Sequence, residues 1–406
     1  MGWMHLLLEL LELIFQELSL NDVMNCRATC RSWRKAADAI FSSQLPLMLS
    51  LSFGYPNDLG SLSAPWSNHD DSTVLTEKWP QEIDNYYNSI YSVQGWLVFN
   101  IFHYESVKGQ TLFSELSFFN PFSRARFKLP KLFLNSGGRC YYQLRVAFNS
   151  APPGSEEFVV AFLVLFSYQE NVHNLTGSED TKQKLAFIRF KQGSWIESIE
   201  TDELFYDIEV HDNNKLYGLT FKHGTSVVFV FTLGDNHHIV ERLVMLKTIE
   251  GIAFSELRVS DEFFKRRHQM VMDTRTGELL LVCHEGNMRF DSIVYHSSLR
   301  TKGFSVFKLD RSNLKWCEVF DIGDRFLFWN FAQVSFVSAK GLRVEERFKR
   351  GNCIFFCHAN IYGIYQFSEL KKYDIGVFFL ADRTISHFLT SCLPNTHWNM
   401  WFNPAP

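Results

Sequence analysis

The densest grouping of side chains able to do chemistry is Cys353-Ile354-Phe355-Phe356-Cys357-His358. Thiolates and imidazoles are zinc ligands, but a structural site needs four of them, normally with a second pair at comparable spacing. The sequence offers no such pair. As a strand, the segment puts Cys353, Phe355 and Cys357 on one face, where buried thiols behave as small apolar groups, so core packing is expected. His237-His238 follow Gly234-Asp235-Asn236 and read as part of a turn. There is no His-Glu-x-x-His helix, no Gly-Lys-Ser/Thr phosphate loop and no Gly-x-Ser-x-Gly elbow. Carboxylates are plentiful, 44 Asp and Glu together, but their spacing singles out no acid–base pair. The chemistry left to look for is binding by contact.

The residues best suited to binding lie near the start of the chain. Leu8, Leu11, Ile14, Phe15 and Leu18 recur at three- and four-residue intervals, which predicts one apolar face of a helix. Leu7, Leu10 and Leu13 form a second stripe beside it, and Glu9, Glu12, Gln16 and Glu17 keep the rest wet. Ser19-Leu20-Asn21-Asp22 fits a capping box, with the Ser hydroxyl on the Asp22 amide and the Asp22 carboxylate reaching back to the Ser19 amide. That box starts a second helix carrying Leu20, Val23, Cys26 and Arg27. A third helix runs around Cys30 to Ala37 with Trp33 near its centre. Three helices in about 40 residues cannot bury this much apolar surface among themselves. Either the rest of the chain covers it, as in an ordinary helical hairpin, or a partner does. A signal peptide is disfavoured because Glu9 and Glu12 break the apolar run, which has no basic leader.

Past Leu45 the helical period gives way to short apolar runs between turn residues. Strands are predicted at Pro46–Phe53, Gly95–Phe99, Ser117–Phe119, Phe158–Phe166, Leu185–Phe190, Lys215–Leu219, Val227–Phe231, Glu278–Val282, Phe304–Leu309, Asn352–Phe356 and Gly376–Leu380. Gly54–Ser72 reads as a long loop. Few gaps are long enough for crossover helices, so a parallel α/β sheet is disfavoured. Phe190–Trp195 and Leu309–Trp316 echo each other as strand, polar turn and Trp strand. Repeated hairpins of this kind, with about 360 residues at about 40–50 per four-stranded blade, predict a β-propeller of six or seven blades. A pair of β-sandwiches is the alternative. Loops at Gly54–Ser72, Ser167–Lys182 and Phe331–Lys349 are the places where such a domain would recognise a partner.

Composition narrows the classes. The chain of 406 residues is 46% apolar and 21% charged, enough to build a core. Its 40 Phe residues favour pleated, half-buried surfaces. A net charge of −4 gives no general attraction for phosphate backbones, and Lys265-Arg266-Arg267 and Arg347-Phe348-Lys349-Arg350 read as solvated faces, so nucleic acid is not expected as a partner. No apolar run reaches about 18 residues, so no membrane-spanning helix is expected. Eight scattered cysteines fit free thiols in a reducing compartment, the nucleus or the cytoplasm. Without a secretory leader, the sequon Asn174-Leu175-Thr176 carries no weight.

The order Leu11-Glu12-Leu13-Ile14-Phe15, Leu18-Ser19-Leu20-x-Asp22-Val23 and Cys26-Arg27-x-x-Cys30-Arg31-Ser32-Trp33-Arg34 resembles an F-box, over about residues 3–41. In that family Leu6-Leu7 is usually Leu-Pro, a proline that presets φ at the helix start. Asn120-Pro121-Phe122-Ser123-Arg124 resembles an element of plant F-box proteins with a propeller-like domain. Phe304–Phe328, Gly351–Phe356 and Trp401–Pro404 are similar to that family's late blades and tail. The resemblance implies an F-box at 1–44 and a propeller-like recognition domain at 45–406. It implies a substrate-recognition subunit of an SCF-type ubiquitin ligase, binding the Skp adaptor and, through it, cullin and RING subunits, with no bond chemistry and no cofactor of its own. Adaptor contact is expected from Leu6, Leu7, Leu10, Ile14, Leu20, Val23, Cys30 and Trp33. Trp33 has a second possible role, pinning the third helix onto the first. The alternative reading is a propeller scaffold whose degenerate F-box, lacking the proline at Leu7, no longer binds the adaptor. A hydrolase at a propeller's central channel rests on fold analogy alone.

Overall fold

The computed structural model describes residues 6–42, 46–52, 59–63, 73–78, 89–105, 111–134, 139–149, 155, 157–167, 181–189, 194–201, 205–211, 215–222, 225–233, 239–245, 268–273, 275–291, 296–330, 333–340, 342, 346–358, 374–388 and 398–402. Three helices come first: α1 (Leu8–Gln16), α2 (Leu20–Arg27) and α3 (Arg31–Ser42). Ser19 starts α2 as expected, its Oγ accepting from the Asp22 amide at 3.1 Å. The return bond differs from the capping box. The Ser19 hydroxyl donates to the Asp22 carboxylate at 2.7 Å, so that carboxylate turns to the stronger nearby O–H donor rather than to the Ser19 amide.

Everything after α3 is strand and turn. The first sheet holds β1 (Leu47–Ser52), β2 (Leu59–Ser63) and β3 (Thr73–Lys78). Leu59–Ser63 corrects the expected loop over Gly54–Ser72: its weak strand signal is overridden because β1 and β3 offer backbone partners on both sides. The second sheet holds β4 (Ser89–Val93), β5 (Trp96–Glu105), β6 (Thr111–Phe119), β7 (Arg126–Lys128) and β8 (Leu132–Leu134). The third runs β9 (Arg139–Phe148), β10 (Val159–Ser167), β11 (Thr181–Arg189) and β12 (Ser194–Thr201). The fourth runs β13 (Phe205–His211), β14 (Lys215–Lys222), β15 (Thr225–Leu233) and β16 (Ile239–Met245). The fifth runs β17 (His268–Asp273), β18 (Glu278–Asp291), β19 (His296–Asp310) and β20 (Lys315–Val319). The last holds β21 (Arg325–Asn330), β22 (Val334–Ser338), β23 (Cys353–His358), β24 (Asp374–Phe379) and β25 (Thr384–His387). β26 (Trp398–Phe402) then leaves it and pairs with β1 in the first sheet, Leu47 opposite Phe402 and Leu51 opposite Trp398.

The described strands thus form six sheets in a propeller arrangement, closed by pairing of the last strand with the first. Within each sheet neighbours are antiparallel hairpins, except that β21 runs parallel to β23. The two Trp hairpins noted in the sequence occupy the same place in their sheets. Ile188 faces Trp195 across β11–β12, and Leu309 faces Trp316 across β19–β20. Turn chemistry sets the registers. Gln94 and Gly95 both have positive φ in the two-residue loop joining Val93 to Trp96, the geometry that suits twisted strands. Gly351 also has positive φ, and a Cβ there would lie 2.6 Å from the Arg325 amide nitrogen, so only glycine fits. Its neighbour Asn352 accepts from the Ile322 amide at 2.9 Å, which holds the strand-to-strand step into β23.

Between sheets, packed side chains replace main-chain pairing. Cys353, Phe355 and Cys357 enter one buried cluster with Met48, Phe326, Phe328 and Trp401, as the strand reading expects. Burial pushes all three core thiols, Cys283, Cys353 and Cys357, well above the usual range, so they stay protonated. The inner strands of neighbouring sheets lie side by side, and their facing N–H groups need acceptors. Carboxylates supply them. Asp207 on β13 accepts from the Met270 amide at 2.5 Å, and Glu209 from the Met272 amide at 3.1 Å, two residues on along both strands. Arg145 on β9 pairs with Asp207 at 3.1 Å, deep inside. Further round, the Asn330 amide side chain accepts from the Trp401 N–H at 2.8 Å and donates to its carbonyl at 3.4 Å, as a backbone would. Gln269 donates to the Asn330 carbonyl at 2.9 Å, and Gln333 to the Ser92 carbonyl at 2.6 Å.

Burial pushes the Glu209 carboxyl well above its ordinary value; the Met272 N–H opposes this, Asp207 adds to it, and Arg145 opposes it. A carboxyl raised on folding contributes stability that is complete below the unfolded value of 4.5 and is lost as pH rises through the folded one. Glu209→Gln keeps an oxygen for the Met272 amide and cannot ionise. In urea unfolding, the variant's advantage over the natural chain is expected to be small near pH 4.5 and to grow to about 1–3 kcal/mol by about pH 8. A variant that loses ground as pH rises would show that Glu209 is stabilising as the anion.

Candidate functional site

The candidate site is the outer side of α1. A helix that is apolar nearly all round must leave part of itself uncovered when it has one core to face. Leu11 and Phe15 take the core side, beside Val23, Ala36, Ala37, Ile40 and Phe41. The opposite side carries Leu7, Leu10, Leu13 and Ile14 at 67, 45, 57 and 41% exposure, with Leu8 and Leu18 also exposed. Glu9 and Glu17 are exposed among them, and Glu12 is partly covered. Six large apolar side chains within twelve residues exceed the scatter of single exposed leucines usual on a soluble surface.

The expected contact residues divide into three groups. Leu7, Leu10 and Ile14 lie on the exposed stripe. Leu6, Leu20, Cys30 and Trp33 are half-buried, and Leu6, Leu20 and Trp33 pack against the core cluster while keeping an outer edge. Val23 is fully buried beneath the helices and has no surface to offer, so its place among the contact residues is corrected to a core role. Its neighbours at three- and four-residue spacing face inward, and α2 turns that row under α1 and α3. Leu13 and Leu18 were the omissions; both share the spacing that identified Leu10 and Ile14.

Trp33 stands edge-on to Phe15, ring centroids 5.4 Å apart, and so does pin α3 onto α1. Its indole Nε1 is buried and has no hydrogen-bond partner among the described residues. Burial, with the Asp22 charge adding, pushes the Cys26 thiol up, which disfavours the reactive thiolate.

What fixes the site in place is the Asn120-Pro121-Phe122 turn between β6 and β7. Asn120 Oδ1 accepts from the Phe122 amide at 3.0 Å and the Ser123 amide at 2.8 Å, and Arg124 closes the turn with φ of 59°. The turn delivers the Phe122 ring to Phe41 of α3 at 4.7 Å and to Phe402 of β26 at 5.8 Å. Arg27 at the end of α2 donates to the Phe122 carbonyl at 3.1 Å and pairs with Asp38 at 2.7 Å. The element noticed in sequence as a family mark is therefore the clamp between helices and propeller.

On the propeller, the nearest thing to a catalytic constellation joins His284, Thr301, Asp374 and His387. The Thr301 hydroxyl and amide both donate to Asp374 at 2.6 Å, His284 Nε2 lies 3.0 Å from the hydroxyl, and His387 Nδ1 lies 3.5 Å from the carboxylate. His284, Thr301 and Asp374 are buried, and the hydroxyl proton is committed to the carboxylate. The arrangement ties β19 to β24 and activates nothing. Among the described residues no group of three or more His, Cys, Asp or Glu is placed to hold a metal ion, and no helix is long and apolar enough to cross a membrane. Of the expected recognition loops, residues 53–58, 64–72 and 168–180 lie outside the described residues, as do His237-His238, Asn174 and Lys265–Arg267. Phe331–Lys349 is corrected from loop: it contains β22 and a short helical turn, Glu346–Phe348, whose Phe348 is buried in the core. Arg347, Lys349 and Arg350 around it are exposed, as a solvated face.

Comparison with known proteins places both parts. Residues 8–43 match the F-box-like family, and residues 66–379 match the family described as KIB1-4 beta-propeller. A protein of Arabidopsis thaliana named as an F-box protein, At4g17565, is 22% identical over 327 residues, covering 79% of this chain and 76% of that one. Among solved structures, the beta-propeller domain of the Trilobed protease from Pyrococcus furiosus shares 8% identity over 74% of this chain and 84% of its own, with a TM-score of 0.31. The GH43_1 enzyme from Xanthomonas citri shares 9% over 74% and 97%, with a TM-score of 0.27. Likeness at those scores carries no functional argument. With most of its length inside one family and its helices inside another, this chain belongs to the KIB1-4 beta-propeller family and carries an F-box-like unit at its N-terminal end.

Proposed function

We propose that the chain is the substrate-recognition subunit of an SCF-type ubiquitin ligase. The F-box-like unit holds a Skp adaptor, which brings cullin and RING subunits, and the propeller holds a target protein in the nucleus or cytoplasm. The observation that carries this reading is the exposed stripe Leu7, Leu10, Leu13 and Ile14 on a helical unit whose other face is already buried. In this role the chain does no bond chemistry. It raises the effective concentration of target lysines near a charged conjugating enzyme.

The reading as a scaffold with a degenerate F-box draws only on Leu7 standing where proline is usual. Leu7 already has φ of −60° and ψ of 144° at the cap of α1, the backbone a proline would impose. Its carbonyl, which proline retains, receives the Leu10 and Leu11 amides at 3.1 Å. The substitution therefore changes the unfolded chain more than the folded one. Leu7→Pro is expected to stabilise by about 0.4–1 kcal/mol in denaturant unfolding, and adaptor capture is expected both with and without it. Capture by the Leu7→Pro chain alone would sink the ligase reading for the natural protein and support the scaffold.

Core and contact roles on α1 separate cleanly. Leu10→Glu with Ile14→Glu is expected to abolish co-purification with a Skp adaptor while changing stability by less than about 1 kcal/mol, since both side chains are exposed. Phe15→Ala, by contrast, opens the core under Trp33 and should cost about 3–5 kcal/mol. Adaptor binding that survives the double Glu variant would remove the stripe from the interface.

A further inference from the structure

We infer that the helical unit and the ring closure of the propeller are one thermodynamic unit, with Phe122 as the residue that couples them. A partner seated on α1 then holds the ring shut. Three observations converge on this. First, a single apolar cluster runs from Leu11, Phe15 and Val23 through Ile40 and Phe41 to Leu47, Leu49, Met400 and Phe402. The helices share their core with both strands that close the ring, rather than having one of their own. Second, β26 is held to β1, and β1 begins at Leu47, a few residues past the end of α3 at Ser42. Third, Phe122 lies between Phe41 and Phe402, and its carbonyl is gripped by Arg27.

The consequence follows from linkage. A ligand that binds only the intact helical unit stabilises it by mass action, and the increment is shared by every segment that must come apart with that unit. Opening β26 away from β1 exposes Met400 and Phe402 and removes the floor beneath Phe41, so the two events are not independent. Ring opening is then rarer when α1 is occupied, and the receptor's recognition domain is most secure while it is mounted on its complex. The part played by the ligand rests on the adaptor role proposed above. The coupling itself is a property of the free chain.

Two experiments on the full chain decide it. The first is a cycle of Phe41→Ala, Phe402→Ala and the double variant, followed by urea unfolding. Coupling predicts that the double variant loses clearly less than the sum of the single losses, and additive losses would overturn it. Phe122→Ala as background is expected to bring the losses close to additive, and Phe122→Leu to restore most of the shortfall. Losses that stay non-additive in the Phe122→Ala background would remove Phe122 from the role assigned to it. The second experiment is hydrogen exchange of the β26 amides with and without purified Skp adaptor. At adaptor concentrations of about 100 times Kd, those amides that exchange through ring opening should slow by up to about 100-fold. In Phe122→Ala that slowing should largely vanish while the adaptor still binds. Bound adaptor with unchanged β26 exchange in the natural chain would refute the inference. Adaptor that does not bind at all would sink the ligase reading, and the variant cycle would still give its own answer.

Discussion

A ring of sheets has to be closed somewhere, and here one pairing does it: Leu47–Leu51 against Trp398–Phe402, segments almost a full chain length apart. Each other sheet is built from strands that follow one another in sequence, so loop closure costs little at each step. This pair alone must wait for every sheet between. Its strength cannot come from five residues of backbone bonding, since such bonds are nearly balanced by bonds to water. It comes from what lies on either face of the pair. Met48 and Trp401 point into the cluster of the last sheet, while Leu47, Leu49, Met400 and Phe402 point into the cluster that contains the helices. The closing sheet is wedged between the end of the propeller and the unit that precedes it.

The hub follows the same logic with polar groups. Adjacent inner strands cannot pair along their length, because each belongs to a different sheet and diverges from its neighbour. Their N–H groups nonetheless face inward, where an unmet donor is costly. Asp207, Glu209 and Asn330 answer by placing side-chain oxygens where a strand would place carbonyls. Using carboxylates for this has a cost that amides do not: Asp207 gains Arg145 as a counter-charge and Glu209 is pushed toward its neutral form. The outer turns use the same residue types in exposed places with the opposite result. Asp310 gathers Ser312 and Asn313 and is held well below the usual carboxylate range, its side-chain bonds to them being the larger cause. Water makes the difference, since an exposed carboxylate keeps its hydration while taking on extra donors.

How much of this could be read in advance depended on whether the signal was local. Strands with apolar runs, such as Val159–Ser167, Thr225–Leu233 and Cys353–His358, were visible because burial on both faces leaves a continuous mark in sequence. Leu59–Ser63 and Val334–Ser338 were not, because their side chains carry no such mark and only their neighbours' free backbone makes them strands. The three helices were legible from spacing, and so was the stripe on α1. Which side of α2 would be covered was not, and Val23 was misplaced for that reason. Spacing says which residues share a face; it does not say which face meets the rest of the protein. The hub ladder was likewise hidden, since Asp207 and Glu209 look like surface residues until β17 is known to lie beside β13.

The Asn120-Pro121-Phe122 turn shows why a motif can be recognised before its work is understood. Its residues satisfy a purely local requirement: Asn closes the turn on itself, proline fixes the second position and Phe is left to project. Nothing in those local terms requires an aromatic ring. The ring is explained only by Phe41 on one side and Phe402 on the other, which belong to the two ends of the chain. A hairpin near the first quarter of the sequence therefore supplies the surface on which both ends meet. If the helices were joined to the propeller by a free linker, their orientation would be set by chance and a bound target could face any direction from the adaptor. With Phe122 seated and Arg27 bonded to its carbonyl, orientation becomes a property of the fold. For a chain whose chemistry is to bring two other proteins together, that fixed geometry is the nearest equivalent of an active site.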